Sequence, residues 1–505
     1  MIDKEIVMGN TETGCKAEAV SSLSRKVSKG MAWIAVSNVL TRGLQIISAI
    51  ILARLLMPSD FGAVAVCMAV VTFVQGTTDM GFLSALVQRA DVDDSYLNTA
   101  WTIELLRMTS IALSLIAIAP LFGIFFKDEG VTGLLRLLSL SIFFQGLNSV
   151  GLVCLRKELD FYRLFLSEVI PAIAYILLVI PLAFLLKNVW ALAFGIVFSS
   201  LVTCIVSYML YPYRPRLAFQ SKKALKLFHF GKWIFVQGIL VMISEHITTL
   251  IMGKYLGMVV LGYYNRATVF SKQISQQVTQ FVWRMGFPLY SQLQNEEEKL
   301  RTTYFGTMKL LLFTGFPLAG MLLVLSKDFT IILLTEKWLM IVPLMQLFGI
   351  FSFFLFMVTP ISVLFQSTGR PAISTKLSFL INGVFILSLI PFITLWGASG
   401  VVMSSIVSTA VVFPLQLYMV TKVYKIRVWE HLRIFSISFL NTVIMIAVIQ
   451  ALRVMLCNQV SLINFISLGI SGGLAYFLSF YVSDKIFNYG LFELIYSRFT
   501  ALKIK

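Results

Sequence analysis

Apolar runs long enough to cross a bilayer recur along almost the whole chain, and that recurrence leaves few folds open. Stretches of roughly 20 or more residues lie near 30–56, 61–83, 98–126, 131–155, 163–187, 189–211 and 228–256. Seven more lie near 258–283, 304–326, 338–366, 372–396, 398–422, 430–455 and 461–482. The predicted fold class is an all-α polytopic membrane protein with about fourteen transmembrane helices. Of the 505 residues 58% are apolar and only 13% charged, against about 25% charged in an average soluble domain. A single water-soluble core stops growing near ~250 to 300 residues, so this composition excludes most soluble enzymes.

The net charge is +17. On a soluble chain that balance would suggest nucleic acid; on a membrane chain it marks loops retained in the cytoplasm, and no nucleic-acid partner is expected. Sorting the 41 Lys and Arg residues by connection places twenty-nine in one alternate set, five within spans (Arg42, Arg107, Arg136, Arg266 and Lys272), and only seven in the opposite set. An even number of spans puts both termini on the basic, cytoplasmic side. Residues 1–29 are polar, carry acids as well as bases and lack the apolar core of a signal peptide, so they read as a retained cytoplasmic tail. Cys15, Cys67, Cys154, Cys204 and Cys457 have no paired spacing, which implies neither a disulfide framework nor a zinc site.

Displacing the sequence by 200 positions aligns Trp33 with Trp233, Ile34 with Ile234, Val36 with Val236 and Leu40 with Leu240. The register continues through Ile51 and Ile251, Arg54 and Lys254, Leu56 and Leu256, and Gly62 and Gly262. Two repeats of six helices each would start on the same side of the membrane, so they would be parallel repeats related by an axis along the membrane normal, an arrangement that commonly encloses a central site. The expected organisation is an N-lobe over 30–211 (helices 1–6), a cytoplasmic linker over 212–227 and a C-lobe over 228–422 (helices 7–12). Two extra helices over 430–482 and a cytoplasmic tail over 483–505 follow.

An ionisable side chain at membrane depth costs about 2.5 to 3.5 kcal/mol on insertion scales and should face a cavity or a partner. In the first span Asn38, Arg42 and Gln45 share one helical face. Thr72, Gln75 and Asp79 do so in the second; Gln237, Ser244, Glu245 and Thr248 cluster on the seventh; and Arg266, Gln273 and Gln280 recur at heptad spacing on the eighth, with Gln276 nearby. The functional expectation is a water-filled cavity between the halves. Arg42 and Arg266 would offer charge to an anionic substrate, because guanidinium holds phosphate in a bidentate fork. Asn38, Gln45, Gln75, Gln237 and Gln273 would line it. The competing expectation is that Arg42 and Arg266 pair with Asp79 and Glu245 and lock the halves together. Glu104 and Arg107, three residues apart, read as a local salt bridge. Arg54 and Lys254, at the outer ends of equivalent helices, either snorkel to the interface or form a portal. His246 points away from Gln237 on the wheel, which disfavours a proton-coupling role.

No G-x-x-x-x-G-K-[ST] loop and no H-E-x-x-H helix is present, so neither ATP nor zinc is implied and no catalytic or metal-ligating residue is assigned. Uphill work would come from ion gradients or substrate flux.

The run Ile51-Leu-Ala-Arg-Leu-Leu-Met-Pro-Ser-Asp-Phe-Gly62 resembles the loop after helix one in bacterial polysaccharide transporters, the O-antigen and exopolysaccharide flippases. Met252-Gly-Lys-Tyr-Leu-Gly257, Leu261-Gly-Tyr-Tyr264, Phe287-Pro-Leu-Tyr-Ser-Gln-Leu-Gln294 and Gln366-Ser-Thr-Gly-Arg370 extend the resemblance, which runs from about Lys29 to Lys425. It implies membership of the multidrug/oligosaccharidyl-lipid/polysaccharide exporter superfamily, with two lobes that alternate between inward and outward openings. The implied substrate is a polyprenyl-pyrophosphate-linked oligosaccharide, flipped across the bacterial cytoplasmic membrane for polysaccharide export. Membrane lipids and polysaccharide polymerase machinery are the implied partners. Many relatives carry an acid at the position of Thr248, whereas here the acid is Glu245. Asp79 and Glu245 are therefore the candidates for proton or sodium coupling, and the choice of ion stays open. No other cofactor is expected. Two alternatives remain: a cation-coupled multidrug antiporter of the same fold, kept by Asp79 and Glu245, and a membrane glycosyltransferase or ligase, disfavoured by outer connections too short to form a surface site.

Overall fold

In a bilayer every backbone N–H and C=O must be satisfied within the protein, which leaves helices as the economical way to span it. The computed structural model describes residues 30, 33, 36–79, 86, 93–158, 160–221, 246–456, 459–487 and 489–491, and all regular structure among them is helical. The helices are α1 (Val36–Leu55), α2 (Pro58–Thr78), α3 (Asp94–Phe126), α4 (Glu129–Gly146), α5 (Phe161–Leu186), α6 (Trp190–Leu210) and α7 (246–255). They continue as α8 (Gly257–Gln292), α9 (Glu297–Phe329), α10 (Val342–Ser367), α11 (Pro371–Trp396), α12 (Ala398–Tyr424), α13 (Val428–Met455) and α14 (Leu462–Ile486).

Eleven helices among the described residues are long and apolar enough to cross a membrane. The spans expected at 131–155, 228–256 and 258–283 are not in that set. For the first, α4 ends at Gly146 and a six-residue helix resumes at Leu152. The break falls where Asn148, Ser149 and Gly151 offer turn-forming groups: the Ser149 amide donates to Ser207 Oγ at 2.8 Å and the Gly151 amide to Ser149 Oγ at 3.3 Å. Most of the second span lies outside the described residues. The third is one long helix, but Arg266, Lys272 and Arg284 and its many glutamines lower its hydropathy.

Helix ends follow local chemistry. Asp93, Asp128 and Asp160 each precede a helix and accept a backbone N–H of its first turn, as N-caps do. The Met57 amide donates to Asp60 Oδ2 at 2.8 Å, fixing the start of α2. Gly397, with φ of +58°, makes the tight turn between α11 and α12, and Gly400 just beyond it approaches the Phe392 carbonyl too closely for any Cβ. Side chains such as Leu185, Leu387 and Ile463 are nearly four-fifths exposed, the expected outer surface of a protein whose solvent is lipid.

The chain divides into two compact units, Met1–Met258 and Val259–Lys505. In the first, α3 packs on α4, α5 on α6, α4 on α6, and α2 on α4. In the second, α9 packs on α10, α11 on α12, and α10 on α12, while α13 and α14 pair with each other and both lie against α9. The apolar core of the second unit includes Phe316, Phe356, Phe365 and Phe480, each about 1% exposed or less. In the first unit the segment after α6 runs extended along the start of α3. Asn98 Oδ1 accepts from the Tyr213 hydroxyl at 2.6 Å and the Arg216 amide at 2.8 Å, and one turn on, Thr102 Oγ1 accepts from the Ala218 amide at 3.1 Å. Burial, with Asp94 nearby, pushes the Tyr213 hydroxyl well above the usual tyrosine range.

Candidate functional site

The polar groups of the first unit divide between an open stripe and a buried network. On α1, Asn38 and Arg42 are half-buried, Gln45 is exposed, and Arg42 Nη1 donates to Gln45 Oε1 at 3.3 Å. Their stripe continues along the same face into Ala49, Leu52, Ala53 and Leu56, all buried. This face of α1 is thus open around Arg42 and covered towards its C-terminal end. Behind it, Ser37 Oγ donates to Glu168 Oε2 at 2.6 Å, tying α1 to α5.

Helix α2 turns its polar residues into its own unit. Gln75 Nε2 donates to Gln145 Oε1 of α4 at 3.3 Å. Arg107 of α3 makes a two-pronged ion pair with Glu104, Nε to Oε2 at 3.1 Å and Nη2 to Oε1 at 2.7 Å. Its remaining Nη1 donates to the Gln75 carbonyl and to Thr78 Oγ1, both at 3.0 Å. The ion pair is the one expected from three-residue spacing. What spacing did not reveal is that Arg107 also satisfies last-turn groups of α2, which a helix terminus leaves orphaned. Asp79, the residue after α2, is exposed.

The first unit also contains α7. His246 Nδ1 lies 3.5 Å from Thr72 Oγ1, and Thr248 is buried. Lys254 donates to the Phe125 carbonyl and stands over the Phe125 ring at 4.2 Å, while Arg54 is exposed near the end of α1. A Cβ on Gly253 would lie 2.7 Å from the Val66 side chain, and one on Gly62 would lie 1.8 Å from the Met258 carbonyl oxygen. Glycine is required at position 62 because backbone passes against backbone there. Gln237 and Glu245 lie outside the described residues.

In the second unit α8 has two opposite faces. Ala267, Ser271, Ser275, Val282, Gly286 and Tyr290 form its buried stripe. At 100° per residue, Arg266, Gln273 and Gln280 sit on the other side, about 150° to 190° away. All three are half-buried, and Arg266 Nη2 donates to Asn265 Oδ1 at 2.9 Å. Ser275 joins Ser352 of α10 on the buried side. One turn to either side of Arg266, Gly262 and Phe270 are buried, Phe270 against Phe329, so this end of α8 is packed around the arginine, whereas Gln273 and Gln280 lie opposite the buried stripe.

Sequence reasoning missed Gln145 and Glu168. Glu168 is an acid seven residues into an apolar span, a signal that was present; Gln145 was marked only by its partner, 70 positions away. Asp328, in the last turn of α9, is paired with Arg453. No group of three or more His, Cys, Asp or Glu residues that could hold a metal exists among the described residues.

Residues 51–343 match the model of a family described as polysaccharide biosynthesis protein. The chain is 24% identical over 386 residues to the lipopolysaccharide biosynthesis protein WzxC of Escherichia coli (strain K12), covering 75% of this chain and 78% of that protein. It is 25% identical over 327 residues to the succinoglycan biosynthesis transport protein ExoT of Rhizobium meliloti (strain 1021), covering 65% of this chain and 66% of that one. Among solved structures, the lipid II flippase MurJ in an inward closed conformation superposes with a TM-score of 0.70 at 16% identity, over 90% of this chain and 99% of that one, a likeness of fold.

Proposed function

The chain belongs to the polysaccharide biosynthesis protein family, and from that premise we propose that it is a transporter that flips a polyprenyl-pyrophosphate-linked oligosaccharide from the cytoplasmic to the outer leaflet. The observation that carries the reading is the division of α8. A helix of 36 residues carries Arg266, Gln273 and Gln280, all half-buried, on the side away from its stripe of Ala267, Ser271, Ser275, Val282, Gly286 and Tyr290. In lipid such a face costs about 2.5 to 3.5 kcal/mol for the arginine alone, so it belongs against water or an anionic ligand. The open stretch around Arg42 has the same character. The names of the relatives, which concern lipopolysaccharide biosynthesis and succinoglycan transport, support the substrate class.

In this proposal Arg42 and Arg266 hold the pyrophosphate through bidentate hydrogen bonds, while Asn38, Gln45 and Gln273 meet sugar hydroxyls. The polyprenyl tail stays in lipid, so only the charged and hydroxylated part needs a watered route. Gln75, bonded to Gln145, and Lys254, bonded to Phe125, are proposed to hold the first unit together rather than to touch substrate. Arg54 is proposed as a portal residue. Asp79 and Glu245 are the proposed sites of proton or sodium coupling, and Gln237 a further cavity residue.

Fourteen spans, two parallel six-helix repeats over 30–211 and 228–422 joined by 212–227, and helices 13 and 14 over 430–482 complete the proposed architecture. The matching pairing order of α3 to α6 and α9 to α12 supports the repeat. The charge sorting supports a multi-pass protein of the bacterial inner membrane with its tails, 1–29 and 483–505, in the cytoplasm. Polysaccharide polymerase machinery would receive the flipped product.

The test is the sidedness of the lipid-linked oligosaccharide in cells lacking this gene, with wild type, Arg42→Ala or Arg266→Ala supplied back at matched membrane levels. Accumulation on the cytoplasmic leaflet reversed by wild type and not by either variant is the expected result. Absence of accumulation would overturn the flippase assignment; rescue by both variants would keep it and remove the arginines from the substrate route.

A further inference from the structure

A second basic site lies apart from the proposed route. In the second unit a cavity of about 190 Å³ is lined by Arg301, Phe305 and Lys309 of α9, Glu430, Arg433 and Ile434 of α13, and Tyr489 just after α14. Three cations and one carboxylate line it, and a second carboxylate, the buried Asp484, lies close enough to attract Lys309. Arg301 pairs with Glu430. Lys309 donates to the Tyr489 carbonyl and stands 4.8 Å above the Tyr489 ring, and Arg433 donates to the Phe487 carbonyl. These contacts fix all three side chains, yet a guanidinium has five N–H donors and an ammonium three. Most of the donors stay available to an incoming acceptor.

We propose that this pocket holds the phosphate of an anionic phospholipid headgroup. Charge, donor geometry and depth support it. With Glu430 and Asp484 set against Arg301, Lys309 and Arg433, positive charge is still in excess between membrane helices, which is costly unless an anion or water faces it, and Arg with Lys is the pair that recognises phosphate. The pocket sits at the ends of α9, α13 and α14 that also carry Lys299, Lys425, Arg427 and Lys485, the cytoplasmic end in the topology proposed above. Basic pockets between helices on that side meet the anionic lipids of the inner leaflet. Trp429, next to Glu430, is 71% exposed, which suits an aromatic side chain at headgroup level. A free phosphate ion would satisfy the same donors, so the source of the phosphate has to be measured.

The purified full chain would be titrated in detergent with diphosphatidylglycerol, with phosphatidylethanolamine and with inorganic phosphate, binding being read by native mass spectrometry. Diphosphatidylglycerol should be retained in preference to phosphatidylethanolamine. Each of Lys309→Gln and Arg433→Gln should weaken that retention by about fivefold. Because these variants also remove contacts to Phe487 and Tyr489, Glu430→Gln is the control: it removes the carboxylate of the lining and should tighten binding by about the same factor, which a merely structural role for the cluster would not produce. Equal retention of the two lipids, or affinity unmoved by all three substitutions, overturns the site. Inorganic phosphate binding that follows the substitutions while the lipids do not would assign the pocket to a soluble phosphate and overturn the lipid source.

Discussion

Replacing Arg107 by Met should be among the most damaging single changes in the first unit, and the structure says by how much. The Arg107 and Glu104 side chains are 14% and 13% exposed, so little solvent screening remains to soften the loss. The substitution strands the Glu104 carboxylate, a class of change that costs about 3 to 5 kcal/mol when a buried partner is removed. It also removes the donations to the Gln75 carbonyl and Thr78 Oγ1, each of the order of 1 kcal/mol. Glu104→Gln leaves the arginine with those two acceptors and should cost less than Arg107→Met. The double variant Glu104→Gln with Arg107→Met removes both charges, so it should recover about 2 kcal/mol or more relative to the sum of the singles. Equilibrium unfolding in mixed SDS and mild detergent, followed for all four proteins, gives the coupling energy. Additive costs would refute the coupling of Glu104 with Arg107, and an Arg107→Met cost below about 1 kcal/mol would refute the claim that Arg107 holds α2 to α3.

Two further outcomes follow from local geometry. Gly62→Ala should destabilise by about 1 to 3 kcal/mol because its Cβ meets the Met258 carbonyl rather than a movable side chain, whereas Gly43→Ala, which points into open space inside α1, should stabilise by about 0.5 to 1 kcal/mol; the same unfolding measurement checks both. Asn98→Ala should cost about 1 to 3 kcal/mol by leaving the Tyr213 hydroxyl and the Arg216 amide without their acceptor, and should expose the 212–221 segment to limited proteolysis, while Tyr213→Phe alone should not.

The polar positions separate into those that sequence could place and those it could not. The pairing of Glu104 with Arg107 was legible because three-residue spacing on a helix brings side chains together whatever surrounds them. The stripe of Arg266, Gln273 and Gln280 was legible because helical periodicity alone puts them on one face. Gln75 looked the same by that criterion, yet its amide is bonded to Gln145. Periodicity assigns a face but not what the face meets. The helix expected over 131–155 is interrupted for a related reason: hydropathy averages through Asn148, Ser149 and Gly151, which close α4 where Ser207, distant in the chain, supplies a partner.

The amino-acid sequence by itself determined that this chain is a bundle of membrane helices. Segment length and apolarity are properties of each stretch alone, and lipid offers the backbone no other partner. The alternation of its charges carried the expected topology in the same local way. Tertiary structure decided which polar groups are structural and which stay available. Arg107, Asn98 and Glu168 are engaged by residues 29 to 131 positions away in the chain, and no local pattern encodes such meetings. The basic pocket of Arg301, Lys309 and Arg433 exists for the same reason: only packing of α13 and the end of α14 against α9 gathers bases that the sequence places on separate helices.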